Sequence, residues 1–144
     1  MMIDVSRHFV PLDELYREVD IMSHYGLNTL HLHLTDAAGW RMEIKAYPRL
    51  TEVGAWRTRQ TWKEWWNKPE KQDGQDLSYV RAYSDSKSGF GGYYTQDELK
   101  GLVKYAQAKG ITIVPEIEFP GHSEEVCAAY PEVAFNHAEK NVSK

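Results

Sequence analysis

Apolar and polar residues alternate along this chain in two periods, and the places where the period changes mark its elements. Ile3 to His8 predicts a short strand. Pro11 then opens a helix, at a position where its missing N–H leaves no bond unmade. Leu12, Leu15, Val19 and Met22 repeat at helical spacing, and Gly26 stops the run. From Asn28 to Leu34 the period drops to two: Leu30, Leu32 and Leu34 face one side of a strand, and Thr29, His31 and His33 the other. Thr95 and Glu98 have the spacing of a capping box, in which hydroxyl and carboxylate satisfy backbone donors of the first helical turn. Leu99, Leu102, Val103 and Ala106 form that helix's apolar stripe, and Gly110 ends it. Ile111 to Ile117 predicts a third strand, and Ser123 to Ala129 a further helix stopped by Pro131.

Between Thr35 and Tyr94 neither period holds. Trp56 to Trp66 suits a short helix, and Lys68 to Gly92 is rich in Gly, Ser, Asp and Lys, as loops are. The stretch at about 35–94 therefore reads as a long loop insertion, a feature that is commonly functional or disordered. The order strand, helix, strand, loop, helix, strand, helix implies parallel strands joined by helical crossovers. A doubly wound open sheet and a (β/α)₈ barrel both fit. The absence of a GxGxxG or phosphate-loop motif counts against the first. Either architecture meets its ligands at the carboxyl ends of the strands.

Composition narrows the partners. The 144 residues suit one domain with a real core, and 42% apolar with 26% charged residues is a globular balance. A net charge of -4 without any basic block argues against nucleic acid and anionic membrane as partners. No apolar run approaches membrane-spanning length. Met1 to Ser6 lacks the charged and apolar regions of a secretory signal, which leaves the compartment undecided. Five Trp and nine Tyr fit either a large core or a site that stacks flat faces such as sugar rings. Cys127 is the sole cysteine, so no disulfide forms within the chain, and a lone Cys in an apolar setting is commonly a small core residue. Asn141 to Ser143 fits a glycosylation acceptor triplet.

Ionisable residues gather where the predicted strands end. Arg7 and His8 follow the first; His33, Asp36 and then Trp40 and Arg41 follow the second; Glu116, Glu118 and His122 follow the third. Together they suggest a site, because helix faces have no use for so many charges. Taken singly, each has a plainer reading. Arg7 suits a surface charge, His31 a satisfied interior histidine, Asp36 a turn cap, Trp40 a core ring, and Glu118 and His122 rim residues. Pro120 and Gly121 turn the chain so that His122 points back over the strand ends. His31 and His33 also match the HxH pair of zinc-dependent barrel hydrolases. They lie about 7 Å apart on one strand face and would hold a metal only with further ligands.

Six ordered stretches resemble the catalytic domain of glycoside hydrolase family 20, the β-N-acetylhexosaminidases. They are Asp4 to Phe9, His31 to Asp36, Gly39 to Arg41, Tyr47 to Arg57, Gly92 to Gln96 and Val114 to Ser123. The resemblance runs in order from Ile3 to about Glu132. It implies a (β/α)₈ barrel, of which this chain supplies about the first three β/α units. It also implies removal of terminal non-reducing N-acetylglucosamine or N-acetylgalactosamine from glycans with retention, an exception to the two-carboxylate scheme in that the substrate's own acetamido oxygen attacks. No cofactor or metal is implied. Relatives are often periplasmic or secreted.

By position, Arg7 resembles the arginine that grips the sugar's 3- and 4-hydroxyls with a rigid fork of donors. Asp36 and His122 resemble the polar relay that supports the general acid from behind. Glu118 takes a supporting role, and His33 and Trp40 fall among the substrate contacts. The chain departs from the family in three ways. The acid and its partner belong to an Asp-Glu pair in a Gly-Gly-Asp-Glu motif on the fourth strand. The only Asp-Glu pairs here are Asp13-Glu14 and Asp97-Glu98, both at helix starts. The family's Asp-Asp-Gln-Gly-Trp is Asp36-Ala-Ala-Gly-Trp40. The smaller domain that usually precedes the barrel has no counterpart either. A typical barrel needs about 250 residues, so the expectation is a truncated reading frame or part of a longer sequence, inactive alone, with completion by a second chain as an option. Two other functions fit the residues: a metal-dependent barrel hydrolase using His31 and His33, and a non-catalytic sugar-binding or assembly piece.

Overall fold

A computed structural model describes residues 1–57 and 90–134. The helix expected within 56–66 and the loop expected at 68–92 fall largely outside them, and the triplet at 141–143 wholly so. Three parallel strands form the sheet, β1 (Met2–Asp4), β2 (Thr29–His33) and β7 (Thr112–Glu116), in the spatial order β1-β2-β7. Helix α1 (Leu12–His24) connects the first pair and α3 (Gln96–Ala108) lies between β2 and β7 in sequence. Leu15, Val19 and Met22 of α1 and Leu102 and Ala106 of α3 bury against Leu30, Leu32 and Leu34. The two helices meet through Tyr16 and Tyr105, ring edge to ring face at 4.9 Å.

The ends of the elements have local causes. β1 stops at Asp4, earlier than the alternation suggests, because Asp4 Oδ1 accepts the N–H groups of Ser6 and Arg7 at 3.0 Å each and turns the chain. α1 ends where Gly26 takes φ +68, a left-handed turn that glycine adopts without penalty. The capping box at α3 is formed: Glu98 N–H donates to Thr95 Oγ1 at 3.2 Å, and Thr95 N–H to Glu98 Oε2 at 2.7 Å.

The stretch at 35–94 is not a featureless loop in its described parts. It holds a hairpin of β3 (Thr35–Asp36) and β4 (Gly39–Trp40), a short helix α2 (Arg49–Glu52), and β5 (Trp56–Arg57) paired antiparallel with β6 (Phe90–Gly91). These elements are too short to show a period. What holds them is Arg41, buried, whose guanidinium donates to the carbonyls of Val5, Ser6, Ala38, Ala55 and Gly92 at 2.5–3.3 Å. Gly91 fits there because a Cβ would lie 2.0 Å from the Ala55 carbonyl oxygen. A last helix, α4 (Glu124–Ala129), packs on α2 and β4, and Pro131 begins a 3₁₀ turn that closes the described chain.

Candidate active site

Parallel register sets the floor of the site. Asp4 pairs with His33 and His33 with Glu116, so these three side chains share one face at the carboxyl ends of the strands. His33 is buried. Its Nδ1 lies 3.0 Å from Glu116 Oε2, and His31 Nε2 lies 2.6 Å from the same oxygen. Burial works to raise the Glu116 carboxyl, but the His33 contact and the two imidazoles outweigh it and hold the group below its usual range. Asp4 is likewise held low, against burial, by its backbone and side-chain bonds with Arg7.

Above this floor Arg7 bridges two carboxylates. Nη1 lies 2.7 Å from Asp4 Oδ2 and Nη2 lies 2.6 Å from Asp36 Oδ2. The Asp4 bond, and the charges of Asp36 and Glu118, bind the guanidinium proton more tightly than usual. The hairpin buries Asp36 to 1% exposure. Ser6 Oγ anchors it by donating to Gly39 O at 2.7 Å. Asp36 Oδ2 also faces His33 Nε2 at 3.3 Å, and Oδ1 faces His122 Nδ1 at 3.6 Å. His122 stands exposed at φ +54, a conformation that costs a non-glycine residue about 1–2 kcal/mol, and such strain tends to collect at functional sites.

Arg7, His33 and His122 thus converge on Asp36 at the carboxyl end of the sheet. Glu118 borders it: its backbone N–H donates to Thr35 Oγ1 at 2.8 Å, stitching β7 to the hairpin. Trp40 lies elsewhere. Its ring packs in a core cluster with Leu50 and Ala129, with its indole N–H on Met42 O at 2.6 Å, so the ring face is not offered to a ligand. His31 is half exposed on the sheet face rather than interior. The sequence places Arg41 and Glu116 among the strand-end residues without giving either a role, and it does not single out Asp4 as one of them. Asp4 and Glu116 are the direct register partners of His33 on the two neighbouring strands, whereas the carbonyl partners of Arg41 come from four separate stretches and leave no local trace.

His33, Glu116 and Glu118 bring one donor atom each within 4.8 Å of one another. A cation there would have to displace the contact between His33 and Glu116 and sit near Arg7, so we read the trio as part of a polar network. Behind the hairpin lies Glu125, fully buried, with no hydrogen-bond partner for its carboxyl oxygens among the described residues. Burial, reinforced by Glu124 and Asp36, pushes that carboxyl up to about 9.

The chain has relatives among known proteins. The chain matches the family profile described as glycosyl hydrolase family 20, catalytic domain, over residues 1–144. It is 40% identical over 141 residues to a β-hexosaminidase of Vibrio furnissii, covering 98% of this chain and 20% of that protein. It is 38% identical over 124 residues to the N,N'-diacetylchitobiase of Vibrio harveyi, covering 85% of this chain and 13% of that one. Among solved structures it superposes on an exo-β-N-acetylglucosaminidase of Vibrio harveyi in complex with N-acetylglucosamine with a TM-score of 0.70 at 39% identity, covering 92% of this chain and 18% of the other. A mutant β-hexosaminidase of Streptomyces plicatus bound to its product gives 0.70 at 36%, covering 94% and 22%. The chain spans 13% to 22% of the length of these relatives. Over that length the chain belongs to the catalytic domain of glycoside hydrolase family 20.

Proposed function

We propose that these residues form one wall of the sugar site of a β-N-acetylhexosaminidase, within the first three units of a (β/α)₈ barrel. The observation that carries this reading is the convergence of Arg7, Asp36 and His122 at the carboxyl ends of parallel strands. Arg7 offers a rigid fork to vicinal hydroxyls of a terminal N-acetylhexosamine. Asp36 and His122 support, from behind, a general acid on the fourth strand. His33 lines the floor and Glu118 the rim. In the substrate-assisted route the sugar's acetamido oxygen attacks the anomeric carbon, so the protein's task is proton donation and orientation.

Two features support completion by further barrel units, in the same polypeptide or in a second chain. Val114 on β7 and Ile117 just after it are exposed, and β7 is an edge of the described sheet. Met42, Ile44, Leu99 and Val103 line an apolar groove of about 520 Å³ on the flank of α3 that faces away from Tyr16. Without an Asp-Glu pair at a strand end, the 144-residue chain alone is inactive. An assay with a nitrophenyl N-acetylglucosaminide tests this: the expected rate is the buffer blank, and turnover like that of an intact relative would refute it.

A further inference from the structure

His33 has a carboxylate against each of its ring nitrogens. Nδ1 lies 3.0 Å from Glu116 Oε2 and Nε2 lies 3.3 Å from Asp36 Oδ2, and the side chain is 5% exposed. A neutral imidazole carries one N–H and one bare lone pair. Neither contact is an aligned hydrogen bond, and Nε2 has no hydrogen-bond partner among the described residues, so charge acts here at ion-pair distance: a protonated ring is attracted by both carboxylates where little water can intervene, and a neutral ring is not. The surrounding charges agree. Asp4 faces His33 from β1, Asp36 from the hairpin, Glu116 from β7, with Glu118 just beyond. Arg7 is a permanent cation at this site, and it is engaged by Asp4 and Asp36. His31 shares the Glu116 oxygen from below, and His122 approaches the other oxygen of Asp36.

We propose that His33 is a positioning residue held as a doubly protonated imidazolium between Asp36 and Glu116. With Arg7 it occupies Oδ2 of Asp36, which leaves Oδ1 for His122 and fixes which way that carboxylate faces. The low-lying Glu116 and Asp4 carboxyls, both ionised at neutral pH, are consistent with this charge. The catalytic consequence rests on the function proposed above; the charge state does not.

The test reads the charge directly. In the 144-residue chain labelled with ¹⁵N-histidine, multiple-bond ¹H–¹⁵N spectra near pH 7.5 report both ring nitrogens of His33, assigned through its own backbone. An ordinary imidazole, titrating near about 6.5, is mostly neutral there. The expected result is two protonated-type nitrogens on His33. One bare nitrogen overturns the proposal, whether or not the completed enzyme is a hexosaminidase. A charged His33 in a protein that never acts on hexosaminides would uphold it and remove only the functional reading. Glu116→Gln, which deletes the Nδ1 counter-charge and keeps the shape, is expected to return one nitrogen of His33 to the bare form at the same pH. A doubly protonated His33 in that variant would show that Glu116 does not hold the charge.

Discussion

Asp36 is buried yet faces Arg7, His33 and His122 at once, and its neighbours decide what that burial costs. Removing Arg7 strands the carboxylate with less compensation. Arg7→Ala is therefore expected to lower stability by about 1–3 kcal/mol in urea unfolding, although half-exposed ion pairs alone count for little. Arg7→Lys keeps the charge but not the fork, so it is expected to lose the bridge to one of the two aspartates. Glu125 makes the opposite case. Its carboxyl lies near about 4.3 when unfolded and is pushed up to about 9 in the fold. Across that window the native state keeps a proton the unfolded chain has lost. The stability this group contributes is therefore complete below the lower value and lost as pH rises through the window. Glu125→Gln has no proton to lose. Its urea midpoint is expected to gain on the parent between about pH 5 and 8.5, and parallel curves would contradict the assignment.

At the scale of elements, Arg41 ties the turn after β1, the β3–β4 hairpin, the residue before β5 and the segment after β6 into one unit. Lysine brings three donors and no planar fork. Arg41→Lys is thus expected to cost about 3 kcal/mol or more, since several charge-assisted bonds near 1.5–3 kcal/mol each are lost or strained. Hydrogen exchange should quicken first at Gly92 and Tyr94, whose amides bond to Ala55 and Arg41. Thr95→Ala removes a formed capping box at α3, worth about 1 kcal/mol. The contrast between these two residues shows what was legible in the sequence. Thr95 and Glu98 lie three apart and act locally, so spacing alone reveals them. Leu30 and Leu32 are likewise given away by period two. Arg41 acts through carbonyls up to 51 residues distant, and no local pattern encodes that. Asp36 and His122 are 86 positions apart; their meeting follows from parallel strands with a common carboxyl end, whereas Trp40 shared the neighbourhood in sequence and went to the core.

At the scale of the molecule, three parallel strands, with β7 at an edge of the described sheet, form an α/β wall whose polar face lies at the carboxyl ends of the strands. An open edge bearing Val114 invites self-association. Val114→Lys is expected to raise the fraction of monomer seen in sedimentation of the isolated chain. The central claim is that this wall serves a hexosamine site through Arg7, Asp36 and His122. It is tested most directly by placing these 144 residues in the matching stretch of the Vibrio furnissii β-hexosaminidase and measuring hydrolysis of a nitrophenyl N-acetylglucosaminide. The account predicts an active chimera that loses at least about a hundredfold in kcat with Asp36→Asn, the scale on which a proton-transfer arrangement contributes. An active chimera whose kcat is indifferent to that substitution would contradict it.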